Sequence, residues 1–220
     1  MIIAIDGPSG AGKSSCARLA AEALGFVYID TGALYRSIGL AVLRAGKSTK
    51  DEAPVTACLP EIRLSICYIA GKQHVFLGED DVSEDIRTPE GAMAASDVAK
   101  LPAVRAYLLD LQRELARAQN SIIDGRDIGT VVLPDAEIKI FLTASPEERA
   151  RRRFLELQAK GLDEPYEKVL AEVIARDEQD TNRAISPLRP AEGSILLDTT
   201  GMNQDETVQA IVNILKEFHQ

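Results

Sequence analysis

Gly7-Pro8-Ser9-Gly10-Ala11-Gly12-Lys13-Ser14, followed by Ser15, is the stretch whose residue types and spacing point most directly to chemistry. It follows the G-x-x-x-x-G-K-[ST] pattern. Glycines permit a loop with positive φ whose N–H groups surround a polyphosphate, and a helix starting at its end adds a positive dipole. Lys13 then reaches the β- and γ-phosphates of a nucleoside triphosphate, and Ser14 or Ser15 offers a hydroxyl to Mg²⁺. The loop alone does not specify a reaction.

Three further clusters could act on a ligand. Asp124-Gly125-Arg126-Asp127 comes directly after the apolar Ser121-Ile122-Ile123, at the carboxyl end of a strand where α/β sheets bind ligands. Asp124 is placed there to hold the water shell of Mg²⁺. Alone, the tetrapeptide also reads as an Asp-Gly turn with a surface ion pair; beside a phosphate loop the ligand reading leads. Arg176, Asp180 and Arg183 are spaced i, i+4, i+7, which predicts one face of a helix, and an exposed ion-pair ladder would show the same spacing. Ser145-Pro146-Glu147-Glu148 reads as a capping box with proline at the first helical position. Arg149, Arg151, Arg152 and Arg153 follow, and 149, 152 and 153 share a face. Such a stripe requires an anion, either a ligand or the neighbouring Glu147, Glu148 and Glu156.

The elements that must position these groups follow from periodicity. Met1 to Ile5 is a buried strand that runs into the glycine loop. Lys13 to Leu24 is a helix with Cys16, Leu19, Ala20 and Ala23 on one face and Gly25 as its terminator. Phe26 to Ile29 is the next strand, which makes a βαβ unit. Apolar runs at Ile122-Ile123, Ile138 to Leu142 and Ile195 to Leu197 raise the strands to five, separated by helices. Val208, Ile211, Val212 and Leu215 mark a docked amphipathic helix. Between these, Arg63 to Ile69 and His74 to Leu77 flank Ala70-Gly71-Lys72-Gln73 as an antiparallel hairpin, and helices are expected from Pro89 to Lys100 and Pro102 to Gln119.

With 220 residues the chain has room for one large domain carrying an insert. Its net charge of −9 opposes bulk attraction to nucleic acid or anionic lipid, so any basic site is local. No apolar run approaches the length of a membrane helix and no export signal is legible. The cysteines, Cys16, Cys58 and Cys67, are three and show no C-x-x-C spacing, which argues against disulfide or zinc frameworks and for a reducing cytoplasm.

Four segments, taken with the phosphate loop, resemble bacterial cytidylate kinases: Asp30-Thr31-Gly32-Ala33-Leu34-Tyr35-Arg36, Asp81 to Thr88, Asp124 to Thr130, and Arg176 to Arg183. The likeness spans nearly the whole chain. It implies an α/β fold of the P-loop nucleoside monophosphate kinase type, with a five-stranded parallel sheet, helices on both faces, a small insert containing the hairpin and an arginine-rich lid. The implied boundaries are a core of about 1–61 and 101–220, an NMP-binding insert of about 62–100 and a lid of about 149–165 within one 1–220 kinase domain. The implied reaction moves the γ-phosphoryl group of ATP to CMP or dCMP, with Mg²⁺, in a cytoplasmic monomer. Carried over residue by residue, the resemblance gives Arg36 and Arg126 to the acceptor's 5′-phosphate, and Thr31, Arg176 and Asp180 to its ribose. It gives Ser96, Arg105, Asp127 and Arg183 to the cytosine. The base chemistry agrees, since cytosine donates from its N4 amine and accepts at N3 and O2. Two departures stand out: Ser14-Ser15 where many monophosphate kinases have Gly-Thr, and Thr31 in place of the serine of the D-S-G motif. Both keep a hydroxyl.

An acceptor phosphate is already ionised at neutral pH, so no general base is required. The two histidines, His74 and His219, read as structural or exposed. Catalysis is expected from in-line positioning and charge stabilisation by Lys13, Mg²⁺ and closing arginines, with Arg126, Arg149 and Arg153 the candidates. Competing readings are a kinase of the same architecture for UMP, a nucleic-acid 5′ end or a small alcohol, and a P-loop ATPase or switch. The N-K-x-D and L-S-G-G-Q segments of such switches and transporter ATPases do not occur here.

Overall fold

Short apolar runs become buried strands and the amphipathic stretches between them become helices. The computed structural model describes residues 1–218; His219 lies outside them. In chain order the elements are β1 (Ile2–Asp6), α1 (Lys13–Leu24), β2 (Val27–Asp30), α2 (Thr31–Arg44), α3 (Glu52–Cys58), β3 (Leu64–Ile69), β4 (Lys72–Leu77), β5 (Asp80–Asp81), α4 (Pro89–Val98), α5 (Pro102–Arg117), β6 (Ser121–Gly125), β7 (Ile138–Thr143), α6 (Pro146–Ala159), α7 (Tyr166–Asn182), β8 (Ile195–Asp198) and α8 (Gln204–Glu217). A π-helical turn, Ile128–Val132, follows β6. The main sheet has five strands in the order β2-β6-β1-β7-β8. β1 runs parallel to both β6 and β7, and β7 parallel to β8. The chain divides into two compact units, Met1–Phe26 with Asn120–Gln220, and Val27–Gln119.

In the first unit, Ile3, Ala4, Ile5, Ile122, Ile123, Ile138, Ile140 and Leu142 are buried, as strands covered on both faces require. Helix α1 ends at Gly25, whose left-handed φ of 68° lets the Phe26 N–H return to the Ala21 carbonyl. Helix α6 begins at Ser145, which accepts the Glu148 N–H at 3.2 Å. The reciprocal half of the expected capping box is replaced: the Ser145 N–H goes to Thr200 Oγ1 at 2.9 Å, because the Glu148 carboxylate is taken by Arg151 and Arg152. The full capping box lies elsewhere, between Asn203 and Glu206 at the start of α8. α6 and α7 pack through Ala150, Leu157, Val169 and Val173. α8 buries Ile211 and Leu215.

In the second unit, Leu34, Ile38 and Val42 of α2 form a core with Val55, Val98, Val104 and Leu108. α2 and α4 approach closely at Gly39, where an added Cβ would lie 2.7 Å from the Ala94 Cβ. β3, β4 and β5 form an antiparallel sheet. The hairpin is tighter than its sequence suggests. Ile69 pairs with Lys72, so the turn is Ala70-Gly71 alone, both at positive φ, as a two-residue hairpin loop demands. β5 is an unexpected third strand. His74 lies in β4, its Nδ1 2.7 Å from Asp81 Oδ2.

Candidate active site

The phosphate loop leaves the end of β1 and enters α1. Gly7 stands at φ 152°, and a Cβ there would lie 1.9 Å from the Leu142 carbonyl oxygen of β7, so only glycine fits. Gly12 caps α1 in the left-handed region with no side-chain hydrogen bond to the helix. The first N–H groups of α1 are therefore not taken by their own cap, the condition under which a helix start receives an anion. Lys13 is buried and donates to the Pro8 carbonyl at 2.7 Å. Burial first, and the Arg126 guanidinium second, push its ammonium well below the usual lysine range, while Asp124, Asp180 and Asp6 act the other way. A desolvated ammonium beside a second cation is what a polyphosphate would relieve.

Ser14 Oγ donates to Asp124 Oδ2 at 2.8 Å; both Ser14 and Ser15 are exposed. A hydroxyl beside a carboxylate is a hard oxygen set that suits Mg²⁺, which takes few protein ligands and keeps water and substrate phosphates for the rest. Among the described residues no group of three His, Cys, Asp or Glu side chains is placed to hold a metal by itself.

The D-G-R-D segment and the helical cluster meet. Arg126 Nε donates to Asp180 Oδ2 at 2.9 Å, and Nη1 to the Gly125 carbonyl. Burial pushes the Asp180 carboxyl up, but Arg126, with Arg176 and Arg183, outweighs it and holds the group below the usual carboxylate range. Asp180 is buried, so this is not an exposed ladder. One expectation needs correction: α7 ends at Asn182, and Arg183 sits past it with extended backbone at φ −63° and ψ 140°. Arg183 therefore does not share the helical face of Arg176 and Asp180. Its Nε donates to the Ser186 carbonyl, and its Nη2 lies 3.5 Å from Asp127 Oδ1, both side chains under a tenth exposed.

The arginine stripe of α6 divides by burial. Arg149, 2% exposed, makes a two-bond fork to Asp177 at 2.8 and 2.5 Å. It also donates to the Ala144 carbonyl and to the carbonyl of Ser9 in the phosphate loop. Arg152 bonds to Glu148, to the Ala11 carbonyl and to Thr199. The hydrogen bond from Arg151 first, and that from Arg152 after it, hold the Glu148 carboxyl down at about 2 against burial. Arg153 is more exposed and pairs with Glu156.

In the second unit, Asp30 caps α2 by accepting the Ala33 N–H at 3.0 Å, and its other oxygen takes Arg36 Nη2 at 2.7 Å. Arg36 Nε is buried without a partner, an orphan donor that suits an oxyanion. Thr31 is buried at the first position of α2, and Ser96 is half-buried on α4. Arg105 donates to the Ala99 carbonyl and lies 5.8 Å from the centre of the Tyr35 ring.

Sequence reasoning missed three supporting residues. Gln73 of β4 accepts the Asp30 N–H and donates to the Asp30 carbonyl. Asp177 neutralises Arg149. Asp6, buried at the end of β1, accepts the N–H groups of Ile128 and Gly129, each at 2.7 Å. Burial raises its carboxyl to about 6 against those two bonds. A carboxylate ending a buried strand was the one signal for Asp6.

A phosphate loop between the first strand and first helix of this parallel sheet, with carboxylate-held arginines at the strand ends, defines a P-loop nucleotide-binding protein. Residues 3–217 match the family model described as cytidylate kinase. The chain is 51% identical to the cytidylate kinase of Carboxydothermus hydrogenoformans, over 98% of this chain and 97% of that one. It is 49% identical to that of Caldicellulosiruptor bescii, over 96% and 94%. The chain belongs to the cytidylate kinase family. Among solved structures, the shikimate kinase of Bacteroides thetaiotaomicron covers 98% of each chain with a TM-score of 0.51 at 14% identity, a likeness of fold alone.

Proposed function

We propose that this chain is an ATP-dependent kinase of pyrimidine mononucleotides that transfers the γ-phosphoryl group of ATP to CMP or dCMP, giving ADP and CDP or dCDP. The observation that carries the reading is the burial of Lys13 near Arg126, which Asp180 holds, together with the family's motifs. Residues 7–15, through every backbone N–H except at Pro8, which has none, cradle the ATP phosphates and Lys13 reaches the transferring group. Ser14 and Asp124, with Ser15 beside them, would hold Mg²⁺, which supplies charge neutralisation across the β- and γ-phosphates when bound.

In the first unit, Arg126 takes the acceptor's 5′-phosphate, Arg176 and Asp180 act near its ribose, and Asp127 and Arg183 read cytosine. In the second unit, Arg36 takes the same phosphate, Thr31 lies near the sugar, and Ser96 and Arg105 act on the base. Arg126 has its Nε and Nη1 committed, which leaves Nη2 as the edge offered to an oxyanion. Asp127 accepts from the cytosine amine; uracil would set a carbonyl against it. Positions 149–165 act as a lid in which Arg149 and Arg153 stabilise the transferring charge, and about 62–100 serve as the acceptor-binding insert. The chain works as a cytoplasmic monomer on free mononucleotides. No described helix is long and apolar enough to cross a membrane.

The test is ADP release coupled to a panel of acceptors with Mg-ATP. Turnover with CMP and dCMP well above that with UMP is expected. Turnover with shikimate-like alcohols and none with CMP, or ATP hydrolysis equally fast without any acceptor, would refute it.

A further inference from the structure

Asp6 has no part in the roles assigned above, yet it is one of the most buried carboxylates in the chain, 3% exposed. Its Oδ1 accepts the Ile128 N–H and its Oδ2 the Gly129 N–H, both at 2.7 Å. These residues open the π-helical turn Ile128–Val132 directly after Asp127. The first N–H groups of a helical turn have no partners within it, and an ionised acceptor shared by two of them makes short, charge-assisted bonds. The anchor is stiff, because β1 is paired on both sides, with Asp6 in register with Gly125 of β6 and Phe141 of β7. Residues 126 and 127 are thus tied at one end by β6 and at the other by the Asp6 carboxylate.

Resting on the cytidylate reading, we propose that Asp6 is a positioning residue for acceptor-base recognition: by clamping Ile128 and Gly129 it fixes where the Asp127 carboxylate stands. Asp127 leaves the strand with φ −146° and ψ 27°, a conformation the sequence does not dictate locally, and its carboxylate must present one oxygen to an amine while facing Arg183. Hydrogen-bond strength falls steeply with distance and angle, so a loop released by a fraction of an ångström loses discrimination before it loses the fold. A simple cap would need only one acceptor. Here both oxygens of a fully buried carboxylate are used, and the segment they hold begins one residue beyond Asp127.

Asp6→Asn is nearly isosteric but offers one oxygen and one amide, so it can satisfy only one of the two N–H groups. The experiment measures kcat/KM for CMP and UMP with wild type, D6N, D127N and the double variant, alongside thermal melts and amide exchange at Ile128 and Gly129. D6N should melt as a folded protein, exchange those two amides faster, and show a CMP-over-UMP preference reduced by about threefold to thirtyfold, within the range one lost buried contact allows. The double variant should discriminate no worse than D127N, since both changes act on one contact. A folded D6N with an unchanged preference overturns the proposal, as does a double variant whose loss is the product of the two. If D6N does not fold, Asp6→Glu, which keeps both acceptors but adds a methylene, carries the same expected loss and the same refutation. Wild type inactive on CMP would sink the functional reading and this proposal together, whereas wild type active with an unchanged D6N preference would sink this proposal alone.

Discussion

Removing Arg149 gives a quantitative test of how the phosphate loop is held. Its guanidinium is 2% exposed and bonds to Asp177 and to the carbonyls of Ala144 and Ser9. Arg149→Ala strands the Asp177 carboxylate and opens a cavity where the side chain lay. Breaking a buried pair by deleting one partner costs about 3–5 kcal/mol. The Asp177 side chain is 24% exposed, so water reaches it and the lower end, about 3 kcal/mol, is expected. For a chain of this size that is a fall in Tm of roughly 6–12 °C. Asp177→Asn leaves the better-buried guanidinium without its counter-charge and should cost at least as much, about 3–5 kcal/mol. Because both singles destroy one fork, the double variant should lose less than the two losses added, by at least about 1 kcal/mol. Urea denaturation at pH 7.5 gives the energies, and coupled ADP release gives KM for ATP. That KM should rise in R149A, since the Ser9 carbonyl loses its donor, and rise less in Arg149→Lys, which keeps the charge without the fork. An R149A protein within about 0.5 kcal/mol of wild type, or strict additivity in the cycle, would refute the reasoning.

Arg126→Ala removes a phosphate donor and leaves Asp180 unpaired, so kcat/KM for CMP should fall by the equivalent of about 2–4 kcal/mol; wild-type kinetics would count against the role. Asp127→Asn should lower the CMP-over-UMP ratio by roughly tenfold to a hundredfold in a protein that still folds but melts lower, because buried Arg183 loses its counter-charge, and an unchanged ratio would show that the base is read elsewhere. Burial raises the Asp6 carboxyl from 3.8 to about 6, with Lys13 lowering it and Asp127 raising it further. A raised carboxyl binds its proton more tightly in the folded state, so the protein should lose about 3 kcal/mol of stability as pH rises from about 4 through 6. D6N should flatten that slope in urea titrations at several pH values, and an identical slope would refute the assignment.

The parts of the fold that were legible are those where local pattern and tertiary role agree. The five strands and the helix Lys13–Leu24 stand where periodicity places them, because buried parallel strands read as apolar runs and α1 is bracketed by glycines. α2 was not read as a helix although Leu34, Ile38 and Val42 repeat every fourth residue; the Asp30-Thr31-Gly32 segment drew attention as a ligand motif rather than as the N-cap it also is. β5 has two residues and no pattern to read. The S-x-x-E signature at Ser145 gave the right helix start but the wrong bonds, since two arginines outcompete the Ser145 N–H for Glu148. Arg183 kept the helical spacing of its cluster while the helix stopped one residue earlier. The partners of Arg149 and of Asp6 lie 28 and more than 120 residues away, so no local window could supply them.

The net charge of −9 and the basic chemistry of the site are two sides of one arrangement. Three arginines of the first unit each pair with a carboxylate: Arg149 with Asp177, Arg126 with Asp180, Arg183 with Asp127. A guanidinium stripped of water without such a partner would be too costly to keep, whereas one held at a single edge stays charged and keeps its other N–H groups in a fixed direction. The carboxylates thus fix how the guanidinium groups are turned at the cost of weakening the local positive potential. Lys13 differs from these arginines. Among the described residues no carboxylate accepts from it; it donates to the Pro8 carbonyl instead, and burial with the nearby Arg126 drives its ammonium well below its ordinary range. A cation so little compensated by the protein has much to gain from an incoming polyphosphate, so on the proposed reading Lys13→Met should lower kcat more than it raises KM for ATP.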